Sequence, residues 1–251
     1  MKKTVKDKLK ATFAHFLLSA GIFLVFLYIV FRLWYPAPYF EANGGWPVMR
    51  LLMFVDLGLG PLCTLVIFKV GKPGLKFDMA VVFSVQFIAL IYGANVLYTA
   101  KPLFLVFAVD RFVVVSAVDV DLSKLANKQL LEGQLEGPIP VIASLPTDPA
   151  EREKLLFETL AGTPDIESRP EFYSDYKSDF ISVIDAARDN NFYLGRSKEI
   201  RAKIELFLEK QNVDLKSVFF YPLQGKKKDL LLALLRKDGS VLGGINVDPW
   251  E

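Results

Sequence analysis

The chain has 251 residues, of which 52% are hydrophobic, and a mean hydropathy of +0.32, more apolar than an average soluble domain. Residues 1–98 carry 10 Lys/Arg and 4 Asp/Glu, a net of +6, whereas residues 99–251 carry 20 and 24, a net of −4. The basic residues flank apolar runs and form no exposed stripe, which excludes nucleic-acid binding, and one cysteine (Cys63) with one histidine (His15) excludes an internal disulfide and leaves no basis for a metal centre.

The first apolar run, Phe13 to Trp34, is 22 residues long and exceeds the roughly 20 residues that cross a bilayer. It is longer than a signal-peptide core, and YPAPYF follows it in place of a small-residue cleavage site, so it reads as a retained anchor. Arg32, Trp34 and Tyr35 suit an interface. His15 opens this run, where interfacial tolerance is the simple reading and an intramembrane proton relay the sharper one. A second run spans Leu51 to Phe68, and a third spans Met79 to Tyr98 without a charge. The expected architecture is a membrane protein: three transmembrane α-helices over residues 1–98, then an α+β domain with a small mixed sheet over residues 99–251.

Orientation follows from the distribution of lysines. The tail MKKTVKDKLK has five lysines against one aspartate, and the connector KVGKPGLKFD has Lys69, Lys72 and Lys76 against Asp78. The connector between the first two runs offers only Glu41 and Arg50. Both lysine-rich segments are therefore expected in the cytoplasm. Everything after Tyr98 is expected on the other side, which in a Gram-negative bacterium is the periplasm.

Beyond Thr99 the pattern is that of a mixed domain. Phe104–Val120 is rich in Val and Phe, as buried strand requires, with a break near Asp110-Arg111. Residues 123–133 run from a capping serine to a glycine and read as a short helix. GPIPVIASLP (137–146) reads as a short strand or extended linker, and 147–162, with Asp148 before Pro149, as a helix. Apolar spacing predicts helices over 171–188 and 197–211. The chain ends in strands over 217–223 and 229–247, the latter folded at Asp238-Gly239.

Enzyme signatures are missing: no GxSxG, P-loop or HExxH occurs, and no histidine is available for a triad outside the membrane. Carboxylate pairs such as Asp119/Asp121, Asp148/Glu151 and Asp185/Asp189 arise by chance among so many acids. The chain is therefore read as no enzyme and as needing no cofactor. The KKK cluster at 226–228 is either a patch for an acidic partner or lipid, or a solvated loop. Asp110 and Arg111 are either an ion pair that fixes the domain on its membrane stem, or two surface charges.

Asp56 is the most informative residue, because a carboxylate within hydrocarbon costs several kcal/mol unless paired, hydrated or protonated. Counted from Leu51, it lies little more than one turn into its span, near the outer face. It either reaches the interface or caps a helix, or it contacts a polar group on a partner's membrane helix. Gly58 and Gly60 permit close backbone approach and Pro61 frees a carbonyl one turn earlier, so the four residues together form a candidate docking surface.

YPAPYF…GG (35–45), VDLGLGPLCTLVIFKVGKPGLKFD (55–78), QFIALIYG (86–93) and KPLFLVFAVDRFVVV (101–115) together resemble the type IV pilin accessory proteins of the TfpX/TfpZ type. The likeness covers about the first 115 residues in order; Cys63, within the GPLxTL-like segment, is a mild departure. The resemblance implies an inner-membrane accessory protein of type IV pilus biogenesis, acting as a pilin-specific chaperone or assembly adaptor. Its partners would be the major pilin, through both membrane helix and periplasmic head, and inner-membrane assembly components. A pilin-modifying enzyme, related to glycosylation, and a small transporter or channel are the rival classes.

Overall fold

A computed structural model describes residues 2–132 and 137–251, the side chains of residues 2–4 excepted. The chain divides into two compact units. One comprises Met1–Trp34 and Gly45–Thr99; the other comprises Tyr35–Gly44 and Ala100–Glu251. Residues 35–44, which the apolar pattern leaves between two spans, thus group with the sheet.

In the first unit, α1 (Lys2–Tyr28) runs into a π-helical stretch, Ile29–Trp34. After α2 (Tyr39–Ala42) of the second unit, α3 (Trp46–Met53), a π-helical stretch (Phe54–Leu59) and α4 (Gly60–Ile67) form one continuous rod. α5 (Leu75–Thr99) completes the unit. These give three helices long and apolar enough to cross a membrane: Val5–Trp34, Trp46–Ile67 and Leu75–Thr99, below called spans 1, 2 and 3. Each begins earlier than its apolar run because flanking lysines, Trp46 and Pro47 are also helical, and amphipathic side chains tolerate an interface.

The second unit is built on a seven-stranded mixed sheet: β1 (Pro102–Ala108), β2 (Arg111–Ser116), β3 (Ile139–Ala143), β4 (Tyr173–Asp175), β5 (Val218–Gln224), β6 (Leu230–Leu235) and β7 (Val241–Ile245), in the spatial order β4-β3-β1-β2-β5-β6-β7. The pairings β1/β3 and β2/β5 are parallel and the others antiparallel. Alternate residues face opposite sides. Leu105, Phe107, Phe112, Val114, Phe219, Tyr221 and Leu232 meet Tyr39, Ala42 and Val183 on one face. Phe104, Val106 and Val141 pack under Leu155 on the other face, beside a second cluster of Phe220, Leu231 and Ala233 under Ile204 and Leu208. The covering helices are α6 (Pro149–Leu160), α7 (Phe180–Asp185), α8 (Asn190–Leu194) and α9 (Lys198–Gln211). Both faces being covered explains why VFFYPL and LLLALL are apolar without alternation.

Two segments depart from the expected helices. Over 123–132 there are only 3-10 turns, Leu122–Lys124 and Lys128–Leu131, because Asp121 and Asn127 bond the backbone N–H groups of Ser123 and Gln129 two residues on; Gly133, the expected stop, lies outside the described residues. Over 171–188 the first half becomes β4, paired with β3, and a turn in which the Ser178 N–H donates to Asp175 Oδ2 at 3.1 Å. Only α7 and the end of a 3-10 turn, Pro170–Phe172, are helical there.

Candidate functional site

The polar side chains of the three spans converge inside the first unit. On span 1 the buried residues His15, Ser19, Phe23, Phe26 and Val30 recur every three or four positions, one face of a helix. Span 2 turns Leu52, Asp56, Gly60 and Thr64 inward, a strict spacing of four. A regular α-helix would carry that row around its axis, since four residues exceed one turn. The π-helical stretch, where the Gly60 N–H donates to the Val55 carbonyl, widens the turn and holds the row on one side. Pro61 accounts for its location, because it has no N–H to continue the α pattern.

His15 is at the centre, 4% exposed. Its Nδ1 lies 2.5 Å from Thr64 Oγ1 and its Nε2 2.8 Å from Gln86 Oε1. With Gln86 Oε1 an acceptor, Nε2 carries the proton and donates. The neutral ring then accepts at Nδ1 from the Thr64 hydroxyl. The Gln86 amide donates to the Asp56 carbonyl at 3.1 Å, and the Phe83 ring stacks 4.4 Å from the imidazole. The imidazole of span 1 is therefore satisfied by one side chain from each of the other two spans, and Gln86 also reaches the backbone of span 2, as hydrocarbon demands. Two glycines permit it: a Cβ on Gly60 would overlap the Gln86 carboxamide, and one on Gly93 would meet Leu52 Cδ1 at 2.6 Å.

Asp56 stands apart. It is 6% exposed, and no hydrogen bond or ion pair reaches its carboxylate from the described residues. It lines a cavity of about 260 Å³ with Ser19 and Ile22 of span 1 and Gln86, Phe87 and Leu90 of span 3. Its depth differs from that read in the sequence. Because the helix starts at Trp46, Asp56 lies ten residues into a span of 22, at mid-length and not near an end. An ionised carboxylate there costs about 3 kcal/mol on an insertion scale.

A family model described as fimbrial assembly protein FimB matches residues 3–44. The fimbrial assembly proteins of serogroup I and serogroup E1 from Dichelobacter nodosus are each 27% identical, over 244 and 245 residues, covering 94% of this chain and 94% of each relative. The fimbrial assembly protein of serogroups C1 and C2 from the same organism is 32% identical over 114 residues, 44% of this chain and 86% of that relative. The chain belongs to the FimB fimbrial assembly protein family. No solved structure matches it.

In this FimB-family chain the family match takes in span 1 with His15 and Ser19, and α2. Of the four docking residues read from the sequence, Asp56, Gly60 and Pro61 face inward, whereas Gly58 is exposed and a Cβ there would meet only Phe54 of its own helix. Asp110 and Arg111 do pair, at 2.9 Å, in the turn at the end of β1 remote from Ala100. Val109 in that turn has φ +58° and is exposed, with the Asp110 N–H bonded to the Ala108 carbonyl at 2.7 Å. The Arg111 guanidinium stacks 4.9 Å from Trp250, and Phe192 lies under Arg188 and Arg196, each at 4.7 Å. The Lys226–Lys228 run is committed internally: Lys226 pairs with Asp119 and Lys228 with Glu41, both at 2.6 Å. The chance carboxylates also have local duties, Asp119 in the capping box of Ser116, Asp148 and Asp189 as helix caps.

Lys69 is exposed, Lys72 pairs with Asp78 at 2.5 Å, and Lys8 Nζ donates to the Val66 carbonyl at 3.1 Å. Lysines of the tail and of the 69–78 connector thus occupy one end of the bundle. His15, Thr64 and Gln86 as a set were missed by sequence reasoning. Their signal was available: each is an uncharged polar residue inside an apolar run.

Proposed function

We propose that this chain serves type IV pilus biogenesis as a pilin-specific chaperone or assembly adaptor in the bacterial inner membrane, acting by binding and not by catalysis. The observation that carries the reading is the match to fimbrial assembly proteins over 94% of both chains, which takes in membrane unit and sheet unit alike. The clustering of Lys8 with the Lys69, Lys72 and Lys76 connector at one bundle end supports a cytoplasmic amino terminus and a periplasmic sheet unit, a 1–98 and 99–251 division of labour.

In this reading the membrane unit contacts the apolar stem of the pilin, through the exposed side of span 2 at Gly58 and through the cavity at Asp56. The sheet unit contacts the pilin head. Asp110 and Arg111 are its proposed contact point, supported by the exposed Val109 and by a neighbouring cluster of arginines and aromatics, the residue types that anchor interfaces. The test is co-purification of the major pilin from membranes expressing the tagged protein, with piliation of a deletion strain measured alongside. Absence of pilin together with unchanged piliation defeats the proposal. A phosphatase reporter fused after Glu251 checks orientation: activity supports a periplasmic carboxyl terminus, and an inactive, cytoplasmic reporter overturns it.

A further inference from the structure

The cavity at Asp56 has an unusual composition for the inside of a membrane bundle. Spans 1 and 3 meet where His15 stacks on Phe83 and bonds Gln86, and again where Trp34 packs on Tyr98 at 5.2 Å. Between these contacts, about 18 Å along span 3 at 1.5 Å per residue, lies the crevice walled by Ile22 and Phe87, which are 50% and 63% exposed. At its base Asp56 and Ser19 are both more than nine-tenths buried, and neither side chain has a hydrogen-bond partner among the described residues. The neighbouring His15 is bonded to both Thr64 and Gln86. A fold that satisfies three polar groups so closely, and leaves an acid beside them facing a laterally open crevice, has a contact site for something that arrives through the bilayer.

We propose that this crevice receives a membrane helix of a partner protein that carries one cationic group, a Lys, Arg or His side chain or an amino-terminal ammonium, at the depth of Asp56. The carboxylate fixes the class. Ionised, it has acceptors only, and of the ways to offset its charge in hydrocarbon (a cation, water or protonation) only a cation can be carried in by a helix. The walls fix the carrier, because aromatic and aliphatic side chains on two helices suit the apolar flank of a third helix and not a freely soluble ion. Ser19 offers a second polar contact for the same group. The inference rests on the adaptor reading only for the identity of the partner, not for its chemistry.

The experiment uses the full-length protein in native membranes, with a photo-crosslinking residue at Ile22 or Phe87 and, as a control facing lipid, at Val66. Adducts are mapped by mass spectrometry in the parent, in Asp56→Asn and in Asp56→Glu. The expected result is an adduct from both crevice positions, mapped within one helical turn of a cationic group on a partner's membrane segment. Its yield should fall at least about thirtyfold in Asp56→Asn, as loss of a buried charge partner implies, and be retained in Asp56→Glu. Charge reversal, Asp56→Lys, should abolish it and be rescued by an acid at the mapped cation. Adducts to lipid only, to a second copy of this chain only, or to a helix without a cation overturn the inference, as does a yield indifferent to Asp56→Asn. Folding is checked by retention of the thermal transition, since removing an unpaired charge does not remove a stabilising contact. If pilin co-purifies but no crevice adduct forms, the crevice inference fails and the adaptor reading stands. If the Asp56-dependent adduct maps to a cationic membrane helix while pilin does not co-purify and piliation of the deletion strain is unchanged, the crevice inference stands and the adaptor reading fails.

Discussion

His15 and Gln86, 71 residues apart in sequence, share a hydrogen bond of 2.8 Å that ties span 1 to span 3, while Thr64 of span 2 closes the other side of the same imidazole. In water such a bond would contribute little; in a bundle without solvent, losing one partner strands the other. Replacing His15 or Gln86 singly by Leu should destabilise the membrane unit by about 1–2 kcal/mol. The double variant should be less impaired than the sum, with a coupling of about 0.6 kcal/mol or more. Unfolding of the detergent-solubilised protein by titration with a denaturing detergent measures this, and strict additivity would contradict the network.

Gly60 and Gly58 are two residues apart and should respond oppositely. Gly60→Leu drives a side chain into the Gln86 carboxamide and should cost about 1–3 kcal/mol through overpacking and the broken amide bond. Gly58→Ala meets only Phe54 of its own helix at 3.6 Å and should leave stability unchanged or slightly raised. The yield and melting temperature of folded protein distinguish them; equal effects would refute the inward and outward assignment.

The sheet unit depends on a segment from far up the chain. Tyr39, 5% exposed, packs into the cluster with Phe112, Tyr176 and Tyr221. Tyr39→Ala should destabilise the sheet unit by about 3–5 kcal/mol, as loss of a buried aromatic does. Glu41→Gln, which removes a half-exposed ion pair with Lys228, should cost no more than about 1 kcal/mol. Limited proteolysis, read at sites beyond residue 100, reports both.

Acid should loosen the region around α6 in a specific way. The hydrogen bond from Arg169, at 2.7 Å, with the guanidinium charge, holds the Glu158 carboxyl below its ordinary value. A depressed folded-state value means that the contribution is complete above the unfolded value of 4.5 and disappears as pH falls through the folded one. Melting temperature followed downward from pH 7 should therefore drop less steeply in Glu158→Gln than in the parent. An identical slope would show that the pair does not matter to acid stability.

How much of this was legible in the sequence divides along physical lines. Hydropathy over 20 residues is an additive signal, so three spans and a following mixed domain could be read directly. Strands such as LLLALL were legible for the same reason, burial on both faces. The depth of His15 and Asp56 was not. Lys6, Lys8 and Lys10 cut off the apolar window before His15, yet they belong to the same helix, with Lys8 reaching the Val66 carbonyl. Trp46 and Pro47 did the same for Asp56. The network escaped because hydrogen-bond partners 49 and 71 residues apart have no local pattern. Segment 171–188 has helical spacing, but pairing with β3 decided half of it, a competition that only the folded sheet resolves.

The segment Tyr35–Gly44 has a consequence for the order of events during synthesis. The Ala42 carbonyl accepts the N–H groups of Lys227 and Lys228, and Glu41 pairs with a lysine 187 residues later. At a translation rate of about 5–20 residues per second, Glu41 and Ala42 are made about ten to forty seconds before Lys227 and Lys228. The four strands β4-β3-β1-β2 can pair first, but the contacts that tie Glu41 and Ala42 to the sheet unit form only near the end of the chain. A nascent or truncated chain that stops before Lys227 leaves the Ala42 carbonyl and the Glu41 carboxylate without these partners, so the clasp between this early segment and the sheet closes only when the last strands are made.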